Sequence, residues 1–187
     1  MNNKLQKYSS KDLVIIAAMA ALGIAIKAIV APLIQLASAP LFIPGGSIAG
    51  GIYMMWLVMA AALSGKRYAA TLTGVVQAIL VMLTGIGGSH GVISLISYSL
   101  PGLAIDLWLL ISRHSICCLM CTFVSCLLAN LIGTTTVSLV FFRLPTIPML
   151  LSITAAAFSG GFGGIITWHV LIALRKFGIK REDISNE

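Results

Sequence analysis

The feature that most constrains this chain is its succession of long apolar runs, which charged residues and Gly/Pro clusters divide into six segments. A helix needs about 20 apolar residues to cross the hydrocarbon core of a bilayer. Charged residues make up only 9 % of the chain, against roughly 25 % in soluble domains. A soluble domain of 187 residues cannot bury so much apolar surface. The pattern therefore excludes a water-soluble enzyme and predicts an all-α integral membrane protein.

The six segments predict six transmembrane helices in a single membrane domain, residues 1–187. Their expected bounds are 13–31, 47–63, 69–83, 92–111, 116–142 and 147–174. The third segment is short, and the last two are long enough to tilt or bend. Residues 32–46 contain three prolines and predict a lid-like outer loop rather than a plain helix. Simple packing against the bundle is the alternative use of this loop.

The positions of the basic residues predict the orientation of the helices. Ten of the twelve Lys and Arg residues lie at the N terminus or follow the second, fourth and sixth segments, whereas Arg143 lies on the opposite side and Lys27 within a segment. Because Lys and Arg accumulate on the cytoplasmic side, both termini are expected in the cytoplasm. A signal peptide cleaved at Ala37-Ser38-Ala39 is the alternative, but the apolar run before it is about twice the usual length.

Three short motifs indicate catalysis or metal binding only weakly. Residues 65–67 (GKR) lack the upstream glycine and the Ser/Thr of a phosphate-binding loop, so the chain is not expected to hydrolyse ATP. Residues 87–91 match the G-x-S-x-G pattern, whose strand-to-helix elbow has no counterpart in an all-helical chain. Residues 117–126 contain four cysteines with one C-x-x-C pair and no second pair, which favours packed or lipid-facing cysteines over metal binding. We predict no enzymatic activity, no cofactor and no metal site.

Three ionisable residues fall within the predicted spans, where charged groups are costly and mark functional candidates. Asp106 and His169 each lie about six residues from the inner end of their segment, so one hypothesis pairs them near the cytoplasm. The alternative is that each reaches the inner interface alone. Lys27 lies roughly 22 Å from the inner start of its helix at 1.5 Å per residue, too far to pair with Asp106. We interpret Lys27 as a cationic anchor for a ligand, with snorkelling to the outer interface as the alternative.

The outer half of the bundle is expected to be richer in hydrogen-bonding groups than the inner half. A small molecule bound between helices needs a mostly apolar cavity with a few placed donors and acceptors. Each such residue by itself is also typical of an interfacial belt or of contacts between helices. The predicted ligand-binding residues are Lys27, Tyr53, Trp56, Gln77, His90, Ser94, Tyr98 and Asn130.

One face of the first segment carries small residues, since Ala17, Ala21 and Ala25 recur every four residues. Small residues at this spacing let two helices approach closely. Packing within the bundle is one use of such a face. A face left open would instead suit a partner helix, and we predict these three alanines as partner-docking residues.

Taken together, these features resemble the substrate-binding S component of energy-coupling factor (ECF) vitamin transporters. The likeness rests on six spans in a chain of this length, with both ends inside and no ATPase motif. The Ala17-x-x-x-Ala21 face is similar to the small-residue motif by which such components dock on a shared transmembrane subunit. Residues 32–46 are similar to the lid over their pocket.

Within that family, two stretches look most like YkoE-type components, which are associated with thiamine and its hydroxymethylpyrimidine precursor. These stretches are Ile52-Tyr53-x-x-Trp56 and the turn 85–91, which leads into the fourth span. Gly74 stands near the place where that group would have an acidic residue. This departure disfavours a cationic ligand such as thiamine.

The resemblance implies that the chain binds a vitamin or vitamin precursor in its outer half and does no covalent chemistry itself. A transmembrane coupling subunit and two ATP-binding subunits would then drive import across a prokaryotic plasma membrane. The main alternative is a self-sufficient secondary transporter, which predicts broken helices and inverted repeats. A membrane enzyme, which needs a catalytic cluster at one depth, and an assembly subunit are further alternatives.

Overall fold

The computed structural model describes residues 8–38, 44–85, 93–113 and 115–177. Five of the helices in these ranges are long and apolar enough to cross a membrane, and the third, with 16 residues, is shorter. The predicted all-α membrane fold is confirmed, while the cytoplasmic location of the termini stays a prediction. The helices are α1 (Ser10–Ser38), α2 (Gly45–Ser64), α3 (Ala69–Thr84), α4 (Ile93–Ser112), α5 (Leu119–Val137), which a π-helical turn extends (Ser138–Phe142), and α6 (Thr146–Lys176).

Two glycines end α2 and α3 where the chain must turn. Gly65 and Gly85 have φ angles of 62° and 68°, a left-handed conformation that glycine adopts at no steric cost. Their N–H groups donate to the carbonyl groups of Ala61 and Val81. These bonds satisfy carbonyl groups that the helix ends would otherwise leave without a partner.

Helix α1 differs most from the prediction, because it continues through Pro32 and ends at Ser38. A proline inside a helix removes one backbone hydrogen bond, but membrane helices tolerate it where neighbouring groups satisfy the freed carbonyl. Packing of α1 on α2 and α3 supports the long helix. Residues 32–38 of the predicted loop are therefore helical, and residues 45 and 46 begin α2. Residues 39–43 lie outside the described residues.

Helix α2 lies at the centre of the bundle and contacts each of the other five helices. Its backbone packs directly against that of α6, where a Cβ atom on Gly51 would lie 1.9 Å from the carbonyl oxygen of Ser159. A Cβ atom on Gly163 would lie 2.4 Å from the Gly51 carbonyl oxygen. The Gly51 N–H also donates to the Ser159 hydroxyl at 3.0 Å. The two backbones therefore touch, as they do at small-residue contacts between membrane helices.

A second close contact, which we name the α3–α4 seam, comprises Thr71, Gly74, Gly102 and Asp106. A Cβ atom on Gly74 would lie 2.4 Å from a backbone oxygen of α4, and one on Gly102 would lie 2.5 Å from a backbone oxygen of α3. One turn after Gly102, the Asp106 carboxylate accepts hydrogen bonds from the Thr71 N–H at 2.7 Å and from its hydroxyl at 2.5 Å. Thr71 is the third residue of α3, so Asp106 caps the first turn of that helix with a negative charge.

Candidate functional site

A cavity of about 180 Å³ lies between helices α1 to α5. This volume is far larger than the roughly 10–15 Å³ that one buried water molecule requires. Five predicted ligand-binding residues line it, one from each helix, so the fold brings together side chains that are distant in sequence. They are Lys27, Tyr53, Gln77, Tyr98 and Asn130.

Lys27 brings a positive charge to the cavity. Its ammonium group donates a hydrogen bond to the Tyr98 hydroxyl. It also lies 4.4 Å from the centroid of the Tyr98 ring and 5.7 Å from that of Tyr53, within the range in which aromatic rings attract a cation. The described residues that line the cavity include no carboxylate. The charge is therefore held by aromatic rings and a hydroxyl rather than neutralised by an ion pair.

Gln77 offers the cavity a carboxamide group that has no hydrogen-bond partner among the described residues. Its side chain is only 4 % exposed, yet it lines the cavity and makes no hydrogen bond with the part of the chain that the structure describes. Gly23 leaves room for the Gln77 side chain, because a Cβ atom at Gly23 would lie 2.3 Å from the Gln77 Nε2. A buried carboxamide without a partner costs free energy, which a bound ligand could recover.

Asn130 also lines the cavity, but the protein uses its carboxamide. The Nδ2 atom donates to the carbonyl oxygen of Ala156 at 2.8 Å and lies 3.4 Å from that of Ser47. Gly50 makes room for the group, because a Cβ atom there would lie 1.7 Å from the Asn130 Oδ1. Asn130 therefore joins α5 to α2 and α6, and its first role is to hold the wall of the cavity.

Comparison with known proteins identifies the family of the chain. Residues 11–132 match the family model described as the ABC-type cobalt transport system, permease component. The chain belongs to this permease-component family. A comparison with curated proteins finds no match.

The fold of this family member is similar to that of a solved structure described as the crystal structure of an S-component of ECF transporter. The TM-score is 0.77, the sequence identity is 18 %, and the alignment covers 92 % of this chain and 88 % of that chain. At this identity the likeness concerns the fold alone. The expected S-component fold is therefore confirmed, and the YkoE-type specificity stays a prediction.

Of the other three predicted residues, Trp56 and Ser94 are described, and neither lines the cavity. Trp56 packs against the hydrophobic core, where its Nε1 atom is buried without a hydrogen-bond partner among the described residues. Ser94 is buried near the start of α4 and does not line the cavity. His90 lies outside the described residues, as does the G-x-S-x-G stretch at 87–91.

Sequence reasoning missed several polar residues that line the cavity. On α4, Ser97 lines it together with Tyr98 and Pro101. Pro101 is spaced i+4 from Ser97 and i+3 from Tyr98 and is therefore a neighbour of both on the helix surface, whereas periodicity starting from Tyr98 does not lead to Ser97. The others are Gln35, Ser47 and Thr134, which no pattern in the sequence distinguishes.

The hypothesis that pairs Asp106 with His169 is wrong. The partner of Asp106 is Thr71 on α3, whereas His169 is exposed on α6. Similar depth in the membrane does not decide which way two side chains face. Rotation of α4 directs Asp106 toward α3, where the first turn of that helix offers an N–H group without an intrahelical partner.

The small-residue face of α1 remains open. Ala17, Ala21 and Ala25 are all exposed in the structure, whereas Ala20, on another face of the same helix, is fully buried. Packing within the bundle therefore does not explain the three predicted docking residues. Their interaction with a partner stays a prediction.

Proposed function

We propose that this chain is the substrate-binding membrane subunit of an ECF-type importer. The observation that carries the proposal is the cavity, where polar side chains from five helices converge between mostly apolar walls. Ligand sites between the helices of a bundle have this composition. Membership in a transport-system family and the S-component fold support the proposal. Because the sequence lacks a phosphate-binding loop, ATP hydrolysis falls to other subunits.

The chemistry of the cavity favours a small ring compound that is neutral or anionic. Lys27 offers a cation, Gln77 a donor and an acceptor, and the two tyrosines offer aromatic faces. The described residues that line the cavity include no carboxylate, histidine or cysteine, which are the usual protein ligands of a cobalt ion and, for the carboxylate, of an organic cation. A neutral hydroxymethylpyrimidine-like compound therefore fits better than thiamine, which carries a positive charge, and better than the metal in the family's description.

The proposed assembly places both termini in the cytoplasm of a prokaryotic cell, according to the distribution of Lys and Arg. The cavity then lies in the outer half of the bundle. A transmembrane coupling subunit docks on the exposed face that contains Ala17, Ala21 and Ala25. Two ATP-binding subunits supply the energy that reorients the chain and releases the ligand inside.

A binding experiment tests the proposed site. The purified protein is titrated calorimetrically with hydroxymethylpyrimidine and with thiamine, and mass spectrometry identifies any compound that copurifies. We expect tighter binding of the neutral compound. Replacing Lys27 with Ala should weaken it by roughly 10- to 100-fold, since a hydrogen bond to a charged group contributes about 1.5–3 kcal/mol. Lys176→Ala, at the exposed end of α6, is the matched control and should leave the affinity unchanged. Equal affinities of Lys27→Ala and the native protein would contradict the site.

A transport experiment separates this proposal from a secondary transporter. The chain is reconstituted in liposomes alone and together with a coupling subunit and two ATP-binding subunits. We expect accumulation of the ligand only in the second preparation and only with ATP. Accumulation by the chain alone would overturn the proposed dependence on partner subunits and favour the secondary transporter.

A further inference from the structure

Three cysteines lie together at the start of α5, at the end of that helix opposite the cavity. Cys117 and Cys118 directly precede α5, and Cys121 lies in its first turn. Their sulfur atoms all lie within 4.8 Å of one another. The Cys118–Cys121 separation is 3.2 Å and the Cys117–Cys121 separation is 3.9 Å. All three thiols are free.

The spacing of the sulfur atoms matches that of ligands around one metal ion. With a Zn–S distance of about 2.3 Å, two thiolates on a tetrahedral ion lie roughly 3.8 Å apart. The sulfur–sulfur separations in the structure lie close to this value. Small side-chain rotations would therefore place the three sulfur atoms around one metal ion. A disulfide would instead require about 2.05 Å and would involve only two of the three.

The start of α5, where this cluster lies, carries positive electrostatic potential. Cys118 is the residue that precedes the first turn of the 19-residue helix α5, and a helix N terminus stabilises negative charge. The guanidinium group of Arg175 lies close by, with its Nη2 3.5 Å from the carbonyl oxygen of Ile116. Positive charge from α6 therefore reaches the segment that directly precedes Cys117.

A role in packing does not explain these three cysteines. Cys117 is exposed and the other two are partly exposed, so the cluster lies at the surface of the protein rather than in its core. Cys126 shows what a packed cysteine looks like in the same helix. It is fully buried, and its sulfur lies 3.6 Å from the Thr167 hydroxyl.

We infer that Cys117, Cys118 and Cys121 bind one thiophilic metal ion, Zn²⁺ or Cu⁺, through three thiolates. Soft thiolate ligands select these ions. Binding replaces the thiol protons by the metal, so up to three protons are released and no electron is transferred. A fourth coordination position on Zn²⁺ is left for water, whereas Cu⁺ is satisfied by three sulfurs. The site is separate from the proposed ligand cavity and does not depend on the proposed function.

The test uses the full chain, purified in detergent and freshly reduced under argon. Zn²⁺ affinity is measured by competition with a chromophoric zinc chelator, and Cu⁺ affinity by competition with a cuprous chelator. We expect one ion per chain and weaker binding as the pH falls. Cys118→Ser and Cys121→Ser should each weaken binding by more than about 100-fold, beyond the 10- to 100-fold that loss of an outer-shell partner costs. Cys126→Ser is the matched control and should bind like the native protein.

The same measurements can overturn the inference. A thiol reagent first establishes that all four cysteines of the native protein are reduced, and gel filtration establishes that each variant is folded. If this reduced protein binds neither ion more tightly than a variant with all three cluster cysteines replaced by Ser, the site does not exist. If Cys126→Ser weakens binding as much as Cys118→Ser does, the assignment to the cluster is wrong. The chelator competition that yields one ion per chain identifies which of the two metals is bound.

Discussion

The α3–α4 seam and the cavity each hold an ionisable side chain within the apolar bundle, but they differ in what surrounds it. In the seam, Asp106 accepts two hydrogen bonds from Thr71 and is only 7 % exposed. In the cavity, Lys27 meets two tyrosines and no described carboxylate. The seam satisfies its charge within the protein, whereas the cavity leaves hydrogen-bonding capacity for another molecule.

Two carboxamides repeat this difference. Asn130 donates to the backbone of α6, whereas Gln77 has no partner among the described residues although it is almost fully buried. A polar side chain inside a membrane bundle is therefore not by itself a sign of binding. The informative property is whether neighbouring protein groups already satisfy it.

The largest expected effect on stability comes from forcing the seam apart. Gly102→Val would place a branched side chain where even a Cβ atom lies 2.5 Å from a backbone oxygen of α3. Overpacking of this kind costs about 3 kcal/mol, which we expect as a marked fall in the melting temperature of the purified protein. Gly46→Val is the control, because a Cβ atom at Gly46 meets nothing within 4 Å. A native melting temperature for Gly102→Val would disprove the close contact.

A smaller loss of stability is expected when the α3–α4 seam keeps its shape but loses the charge of Asp106. Asp106→Ala removes the cap of α3 and leaves the Thr71 N–H without its acceptor, at a cost of about 2 kcal/mol. Asp106→Asn retains an acceptor and should recover more than half of this loss. Chemical unfolding of both variants in detergent measures the difference. If Asp106→Asn were as unstable as Asp106→Ala, capping would not explain the buried carboxylate.

Removing the Asn130 carboxamide should mainly lower stability, whereas removing the Gln77 carboxamide should mainly weaken ligand binding. Asn130→Ala should lower the free energy of unfolding by about 0.6–1.7 kcal/mol, between the average and the maximum measured for hydrogen bonds between membrane helices. Gln77→Ala should lower the free energy of unfolding less than Asn130→Ala does, because its carboxamide has no described hydrogen bond to lose, but it should weaken ligand binding by roughly 2- to 10-fold. Melting curves and calorimetric titrations of the same two preparations provide the comparison. A large stability loss in Gln77→Ala would show that its carboxamide serves the fold rather than the ligand.

Much of the fold could be predicted from the sequence because the length of an apolar run determines whether a helix can span the bilayer. The effect of Pro32 could not be predicted, since it depends on whether neighbouring helices support the chain beyond it. Helix α1 therefore runs to Ser38, whereas the composition of residues 32–46 indicated a loop.

The candidate site could be predicted only in part, because composition does not specify how each helix is rotated. On α2, Tyr53, Met54 and Leu57 line the cavity, a spacing that directs Trp56 elsewhere. The rotation of α4 likewise determines which residue becomes the hydrogen-bond partner of Asp106. Gly74 illustrates a further limit, since the sequence marked it as a missing acidic residue and the structure uses it for the contact between α3 and α4.

The smallest effect on the isolated chain is expected where small residues are exposed rather than buried in a seam. Ala17→Leu combined with Ala21→Leu meets no neighbouring helix, because both positions are open, and should alter stability by less than about 0.5 kcal/mol. Ligand affinity should also stay unchanged, while capture by a purified coupling subunit should fall at least tenfold, since leucines hold the two helices apart. Ala173→Leu, at an exposed position of α6, is the matched control for a larger apolar surface. Equal capture of the double variant and the control would show that this face of α1 is not the docking face. Small residues can serve a partner only at positions that packing within the bundle does not use. Parallel loss of capture and ligand binding would therefore mean that this face and the cavity are not separate.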